Sequence, residues 1–189
     1  MFDSSTSASG PGGLVQPDSG DAVAGAAYWG ARYDANRGDV DAAVAFARNL
    51  RMMGGVKQAV TLMKDVVMKA PDNPAVLAEY GKALAAADRA KDAIPFLSRA
   101  TQLTSGDWKL LSAYGVALDQ TGDYTAARQA YQAALEISPA NAVIENNLAM
   151  SYVVAGQLAE GEAILRRLVA RLDATPDRKS TRLNSSHTV

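Results

Sequence analysis

The chain has 189 residues, 48% of them hydrophobic, which suffices for one domain or a short array of repeats. Lys and Arg total 19 against 20 for Asp and Glu, so no net charge draws the protein to nucleic acid or to acidic membranes. Without cysteine and with a single histidine, His187, the chain cannot build disulfides, the usual catalytic triads or most zinc sites. We therefore predict a non-enzymatic protein with no metal and no cofactor.

Three regions follow one another along the chain. Residues 1–22 are rich in Ser and Gly and are predicted to be a disordered leader; they lack the basic start and apolar stretch of a signal peptide. Residues 23–175 place apolar side chains at helical spacing, and no apolar run reaches the ~18 residues of a membrane span. Residues 176–189 are polar and patternless, and they are predicted to be disordered.

The end of the chain resembles a known artefact. From about residue 178 the sequence RKSTRLNSSHTV is similar to the translated read-through of a sequencing-library adapter. We therefore expect this tail, with His187, to be non-native and to carry no function. An ordinary disordered terminus is the alternative.

The central region repeats itself at a spacing of 34 residues. Small, large and turn-forming residues each recur in register, which predicts successive helix pairs, here called helix A and helix B. The columns are Gly81 and Gly115; Leu50, Leu84, Leu118 and Tyr152; Gly54, Asp88, Gly122 and Gly156; Ala59, Ala93, Ala127 and Gly161; and Met63, Leu97, Tyr131 and Leu165.

Each column has a packing reason. Gly81 and Gly115 let helix A lie close against helix B. The glycines of the third column end helix A in a left-handed conformation, which they adopt without steric cost, and Asp88 tolerates it better than most residues. Pro71 and Pro139 stop helix B because proline cannot continue the backbone hydrogen bonds.

The columns resemble the tetratricopeptide-repeat (TPR) pattern, which the third unit carries at Trp108, Leu111, Tyr114, Gly115, Leu118, Gly122, Ala127, Tyr131, Ala134 and Pro139. The resemblance implies an all-α fold, an α-solenoid of antiparallel helix pairs with about four 34-residue repeats. These repeats would span 40–73, 74–107, 108–141 and 142–175. Residues 23–36 would form the second helix of a preceding half-repeat.

Three residues depart from the pattern. Glu145 stands where a large apolar residue is usual, and Gly161 stands where alanine is usual. Pro95 lies inside the helix B of the second unit. Because an interior proline costs ~3 kcal/mol, we expect a kink there rather than a lost helix.

The TPR resemblance also implies a concave groove in which a protein or peptide partner contacts set positions of each helix A. The predicted partner-binding residues are Asp41, Val44, Arg48, Arg51, Met52, Ala78, Lys82, Lys109, Ser112, Val116, Asp119, Asn146 and Met150. Arg48, Arg51 and Lys82 make one end basic, which suits a partner's carboxylate; simple solvation of these charges is the alternative. Some TPR proteins clamp a chaperone's C-terminal carboxylate with Lys and Asn, but Val44 and Arg48 stand here instead, which disfavours that mode.

Two pairs of segments carry a narrower resemblance: residues 26–33 with 45–51, and residues 107–120 with 147–152. They are similar to the TadD-type TPR protein of the Tad/Flp (tight adherence) pilus system. This resemblance implies an outer-membrane lipoprotein, facing the periplasm, that helps the pilus secretin to assemble or localise. The chain shows no signal peptide and no lipidation cysteine, so a cytoplasmic location is the alternative. The competing functions are a generic TPR adaptor in another bacterial pathway and the TPR part of a truncated larger protein.

Overall fold

The computed structural model describes residues 20–174, and within that range the chain forms nine α-helices and no β-strand. The predicted all-α fold of helix pairs is confirmed. Most of the predicted leader and tail, including His187, lies outside the described residues. The helices are α1 (Ala22–Ala35), α2 (Val40–Met52), α3 (Val56–Lys69), α4 (Pro74–Ala86), α5 (Ala90–Leu103), α6 (Trp108–Gln120), α7 (Tyr124–Ile137), α8 (Ala142–Val154) and α9 (Leu158–Asp173).

The helices belong to two compact units, which divide between Ser105 and Gly106. In the first unit α1 packs against α2, α2 against α3, α3 against α4 and α4 against α5. Helix α2 also packs against α4. In the second unit α6 to α9 pack in the same sequential way, and α6 also packs against α8. Within each unit, therefore, the A helices of successive pairs are neighbours.

The glycines predicted to bring helix A close to helix B have this role. A Cβ atom on Gly81 would lie 2.6 Å from Cγ of Leu97, and one on Gly115 would lie 2.6 Å from Cε1 of Tyr131. Leu97 and Tyr131 are themselves fully buried. Any side chain at either glycine would therefore push its pair of helices apart.

Helix A ends in the same way in all four pairs. Gly54, Gly122 and Gly156 have φ angles of +83°, +83° and +80°, and Asp88 has a φ of +58°, so the predicted left-handed positions are confirmed. In each turn the residue after the left-handed position donates a hydrogen bond from its backbone amide. The acceptor is the carbonyl oxygen of the residue five positions earlier, which is Leu50, Leu84, Leu118 or Tyr152. This 6→1 bond is the Schellman motif, which satisfies a carbonyl that the helix end would otherwise leave unpaired.

Helix A also begins in the same way in each pair. The residue before it is Asp39, Asn73, Asp107 or Asn141, again 34 residues apart. Each of these side chains accepts a hydrogen bond from an amide in the first turn of the helix. N-capping of this kind stabilises a helix by about 1 kcal/mol.

The departures from the repeat pattern have structural counterparts. Helix α5 continues through Pro95, so the predicted survival of this helix is confirmed. Glu145 accepts a hydrogen bond of 2.7 Å from the Nη1 atom of Arg171 on α9, so the unexpected carboxylate joins α8 to α9. Gly161 packs so closely on α8 that a Cβ atom added at this position would lie 2.7 Å from Cγ2 of Val153.

Candidate partner-binding surfaces

The predicted partner-binding residues all lie on A helices, as two sets. In the first unit they lie on α2 and α4, and this set is called the α2–α4 surface. In the second unit they lie on α6 and α8, and this set is called the α6–α8 surface. The α2–α4 surface contains Asp41, Val44, Arg48, Arg51, Met52, Ala78 and Lys82; the α6–α8 surface contains Lys109, Ser112, Val116, Asp119, Asn146 and Met150.

A buried carboxylate organises the α2–α4 surface. Glu79 on α4 is only 2% exposed, and its Oε1 accepts a hydrogen bond of 2.8 Å from Nε of Arg51 on α2. Nε of Arg48 lies 3.7 Å from Oε2 of the same carboxylate, but the Arg48 side chain is 57% exposed. Arg51 therefore joins α2 to α4 through this ion pair, whereas more than half of the Arg48 side chain is exposed to solvent.

The remaining residues of the α2–α4 surface differ in accessibility. Asp41 and Met52 are exposed, while Ala78 and Lys82 are part-buried. Val44 is buried where α2 meets its neighbours. A partner on this surface would therefore meet Asp41, Arg48 and Met52 before any other predicted residue.

A hydrogen-bonded network links the helices of the second unit. Oδ1 of Asp119 accepts a bond of 2.6 Å from the hydroxyl of Ser151 on α8, and Oδ2 accepts one of 2.9 Å from the hydroxyl of Tyr131 on α7. The hydroxyl of Ser112, which is buried, accepts a bond of 3.1 Å from Nδ2 of Asn147 on α8. Ser112 and Asp119 thus join α6 to neighbouring helices, and little of either is open to a partner.

Burial governs the titration of this network. Desolvation raises the pKa of the Asp119 carboxyl, although the hydrogen bonds from Ser151 and Tyr131 and the charge of Arg128 act in the opposite direction. The pKa of Tyr131 is raised further still, chiefly by burial and then by the neighbouring Asp119 carboxylate. At neutral pH Tyr131 is therefore a neutral phenol that donates a hydrogen bond to the Asp119 carboxylate.

The raised pKa of Asp119 predicts a pH dependence of stability. The folded state binds the Asp119 proton more tightly than the unfolded state, whose pKa is near 3.8, so this group's contribution to stability falls as pH rises through the folded pKa. Asp119→Asn removes the titration. We expect the free energy of unfolding of Asp119→Asn, relative to wild type, to increase as pH rises across this window. Urea denaturation at a series of pH values measures the free energy of unfolding of both proteins. A difference between the variant and wild type that stays constant with pH would contradict the prediction.

Helix α8 carries an exposed apolar ridge. Val143, Met150 and Val154 are all exposed, and their spacing of seven and four residues places them along one side of the helix. Asn146 lies exposed beside them, whereas Val116 on α6 is part-buried. These three side chains are called the α8 ridge.

The structure also holds an open cleft away from the predicted residues. A cleft of about 810 Å³ in the first unit is lined by the turns after α2 and α4 and by the start of α3, including Gly54, Lys57 and Arg89. It contains none of the predicted partner-binding residues. Within residues 20–174 no group of His, Asp and Glu side chains could hold a metal ion, and none of the helices in this range combines the length and hydrophobicity that a membrane span requires.

Comparison with known families identifies the class of protein. Residues 50–113 and 118–181 match the family described as tetratricopeptide repeat, and together the two matches cover more than half of the chain. The chain therefore belongs to the tetratricopeptide-repeat family, whose stacked helix pairs serve as protein-interaction modules.

Individual relatives are more distant. An uncharacterized protein of Sinorhizobium fredii, y4yS, is 32% identical over 110 residues, which cover 58% of this chain and 60% of the relative. Among solved structures, MamA of strain AMB-1 is similar, with a TM-score of 0.68 and 23% identity over 79% of this chain and 89% of that chain. MamA from Desulfovibrio magneticus RS-1 has a TM-score of 0.68 and 17% identity, covering 79% of this chain and 86% of that chain. At these identities the two structures show the shared fold alone.

Proposed function

We propose that this chain is a non-enzymatic scaffold that binds a protein or peptide partner along its A helices. The observation that carries the proposal is the α8 ridge. Exposed apolar side chains gathered on one helix face lose contact with water when a partner covers them, which favours association. Membership of the tetratricopeptide-repeat family supports the same interpretation.

The α2–α4 surface suggests the chemistry of one contact. Arg48 is largely exposed, and the carboxylate beside it is already paired with Arg51. A carboxylate of the partner could therefore approach Arg48 and form a charge-assisted hydrogen bond. We propose that an acidic side chain or a C-terminus of the partner docks at Arg48.

The proposed pathway is assembly of the Tad/Flp pilus, with the pilus secretin as partner and the periplasmic face of the outer membrane as location. The support is the similarity of residues 26–33, 45–51, 107–120 and 147–152 to TadD-type proteins. The tetratricopeptide-repeat fold alone equally suits an adaptor in another pathway, with a cytoplasmic location as the alternative. This adaptor is the second candidate function.

A direct binding measurement tests the scaffold role. The probe is the purified periplasmic domain of the Tad secretin from the same organism, titrated against the chain by calorimetry. We expect the double substitution Met150→Asp with Val154→Asp to weaken binding by roughly tenfold, and Arg48→Glu separately to do the same. A tenfold change in the dissociation constant corresponds to ~1.4 kcal/mol of binding free energy. Met68→Asp and Lys64→Glu, at exposed positions of α3, are the matched controls and should bind like wild type.

Two results would separate the pathway from the scaffold role. A strain that lacks the chain should lose surface pili, and normal piliation would reject the pilus assignment in favour of another adaptor role. Secretin binding that is unchanged in both the Met150/Val154 and Arg48 variants would reject the proposed surfaces. Far-UV circular dichroism confirms that each variant remains helical.

A further inference from the structure

The sulfur atoms of this chain all belong to methionine, because the sequence has six methionines and no cysteine. The methionines of the described residues differ in accessibility. Met63 on α3 is fully buried, whereas the side chains of the other four are exposed: Met52, Met53, Met68 and Met150. An oxidant must reach the sulfur to convert methionine to its sulfoxide, so the exposed methionines should react first. Oxidation would therefore change the surface of the protein before it reached the core.

Met150 is the exposed methionine of the α8 ridge. Its side chain is 45% exposed, and it lies between Val143 and Val154 along the same side of the helix. The residues at the equivalent repeat position of the other A helices contain no sulfur: Arg48, Lys82 and Val116. Oxidation at this repeat position therefore alters the α8 ridge and leaves the corresponding position of α2, α4 and α6 unchanged.

Oxidation makes the centre of the α8 ridge polar. Hydrogen peroxide transfers one oxygen atom to the thioether of Met150: the O–O bond breaks, an S=O bond forms, and the sulfur gives two electrons to the peroxide, which leaves as water. The sulfoxide oxygen accepts hydrogen bonds from water and loses them when a partner covers the ridge, which costs free energy. Because Met150 is already exposed, we expect the helical fold to be retained.

We propose that Met150 is a redox-sensitive site, whose reversible oxidation to the sulfoxide weakens partner binding on the α8 ridge. This inference rests on the proposed scaffold function and adds its regulation. Methionine sulfoxide reductases reverse the change: a dithiol supplies two electrons, the oxygen leaves as water, and the dithiol becomes a disulfide. The contact at Arg48 involves no sulfur, so oxidation weakens binding of the partner without abolishing it.

The order of oxidation tests the reactivity of Met150 without any partner. The full chain is treated with hydrogen peroxide, and peptide mass spectrometry follows the gain of one oxygen atom at each methionine. Met150 should be oxidised well before Met63, while the far-UV circular dichroism spectrum stays unchanged. Oxidation of Met150 that is no faster than that of Met63 would overturn the proposal.

Binding to the periplasmic domain of the Tad secretin, measured by calorimetry before and after oxidation, tests the consequence. Peroxide is removed before the secretin domain is added. Oxidation should weaken binding of wild type by roughly tenfold, and treatment with the two reductases, one for each sulfoxide epimer, should restore it. Met150→Leu removes the sulfur, so this variant should bind equally well before and after peroxide treatment.

A triple variant is the matched control. Met52→Leu, Met53→Leu and Met68→Leu together leave Met150 as the one exposed methionine among the described residues, and this variant should lose as much affinity on oxidation as wild type. A triple variant that loses none, or a Met150→Leu variant that loses as much as wild type, would overturn the proposal.

The unoxidised chain separates this inference from the proposed function. If the unoxidised chain does not bind the secretin domain, the proposed partner is wrong and the switch is rejected with it. If the unoxidised chain binds and oxidation leaves its affinity unchanged, the switch alone is rejected.

Discussion

Replacing Gly115 with leucine is expected to lower the free energy of unfolding by about 3 kcal/mol or more, the upper range for overpacking a protein core. The reason is geometric. A Cβ atom at Gly115 would already lie 2.6 Å from the ring of Tyr131, which is fully buried and whose hydroxyl is hydrogen-bonded to Asp119. Urea denaturation followed by circular dichroism measures the loss.

The matched control for this prediction adds the same side chain elsewhere on α6. Gln120 is exposed at the end of the helix, so Gln120→Leu should change stability by less than about 0.5 kcal/mol. Combining Gly115→Ala with Tyr131→Leu should cost less than the sum of the single changes, because the smaller side chain relieves the clash. An unfolding midpoint for Gly115→Leu equal to that of wild type would refute the close-packing account.

Replacing Arg51 with alanine should cost about 3 kcal/mol, which is typical when one partner of a buried ion pair is removed. Glu79 is 2% exposed, and Nε of Arg48 lies 3.7 Å from its carboxylate, farther away than Nε of Arg51 at 2.8 Å. Without Arg51 the carboxylate would remain buried and would lose its shortest ion pair. Chemical denaturation of the variant and of wild type at neutral pH gives the difference.

Two further variants distinguish a buried pair from a surface one. Arg48→Ala should cost less than about 1 kcal/mol, because the Arg48 side chain is largely in solvent. Arg51→Met combined with Glu79→Met should recover most of the stability lost in Arg51→Ala, since apolar replacements of similar volume remove the uncompensated charge. If Arg51→Ala and Arg48→Ala lowered the free energy of unfolding by equal amounts, the contribution of each ion pair to stability would not depend on its burial.

The fold could be predicted from the sequence because its determinants are local and repeated. The glycine column specifies left-handed helix ends, and Gly81 and Gly115 specify close contacts, and the structure contains both. The capping residues Asp39, Asn73, Asp107 and Asn141 form an equally regular column, which the predicted repeat columns do not include. Their positions directly before each helix A were a sufficient signal.

The candidate site was harder to predict than the fold, because the position of a residue within a repeat does not determine which side chains contact it. Val44 and Ser112 are predicted partner-binding residues, and both are buried in the structure, which their positions in the repeat do not indicate. Glu79 was not predicted, although a carboxylate at a position where two other units have alanine, Ala45 and Ala113, was a visible anomaly. Its partner, Arg51, lies 28 residues away, and only the packed helices bring the two together.

The uniform turns between successive helices have a consequence for the evolution of such a protein. Each A–B connection in the described part of the chain is three residues long and uses one left-handed residue and one equivalent amide-to-carbonyl bond. Each connection from a helix B to the next helix A there is four residues long and ends in Asp39, Asn73, Asp107 or Asn141, which caps the next helix. A duplicated or deleted hairpin of 34 residues would therefore join its neighbours through junctions that the chain already contains. Gain and loss of whole hairpins alters the length of the array while the backbone chemistry of each junction is inherited unchanged.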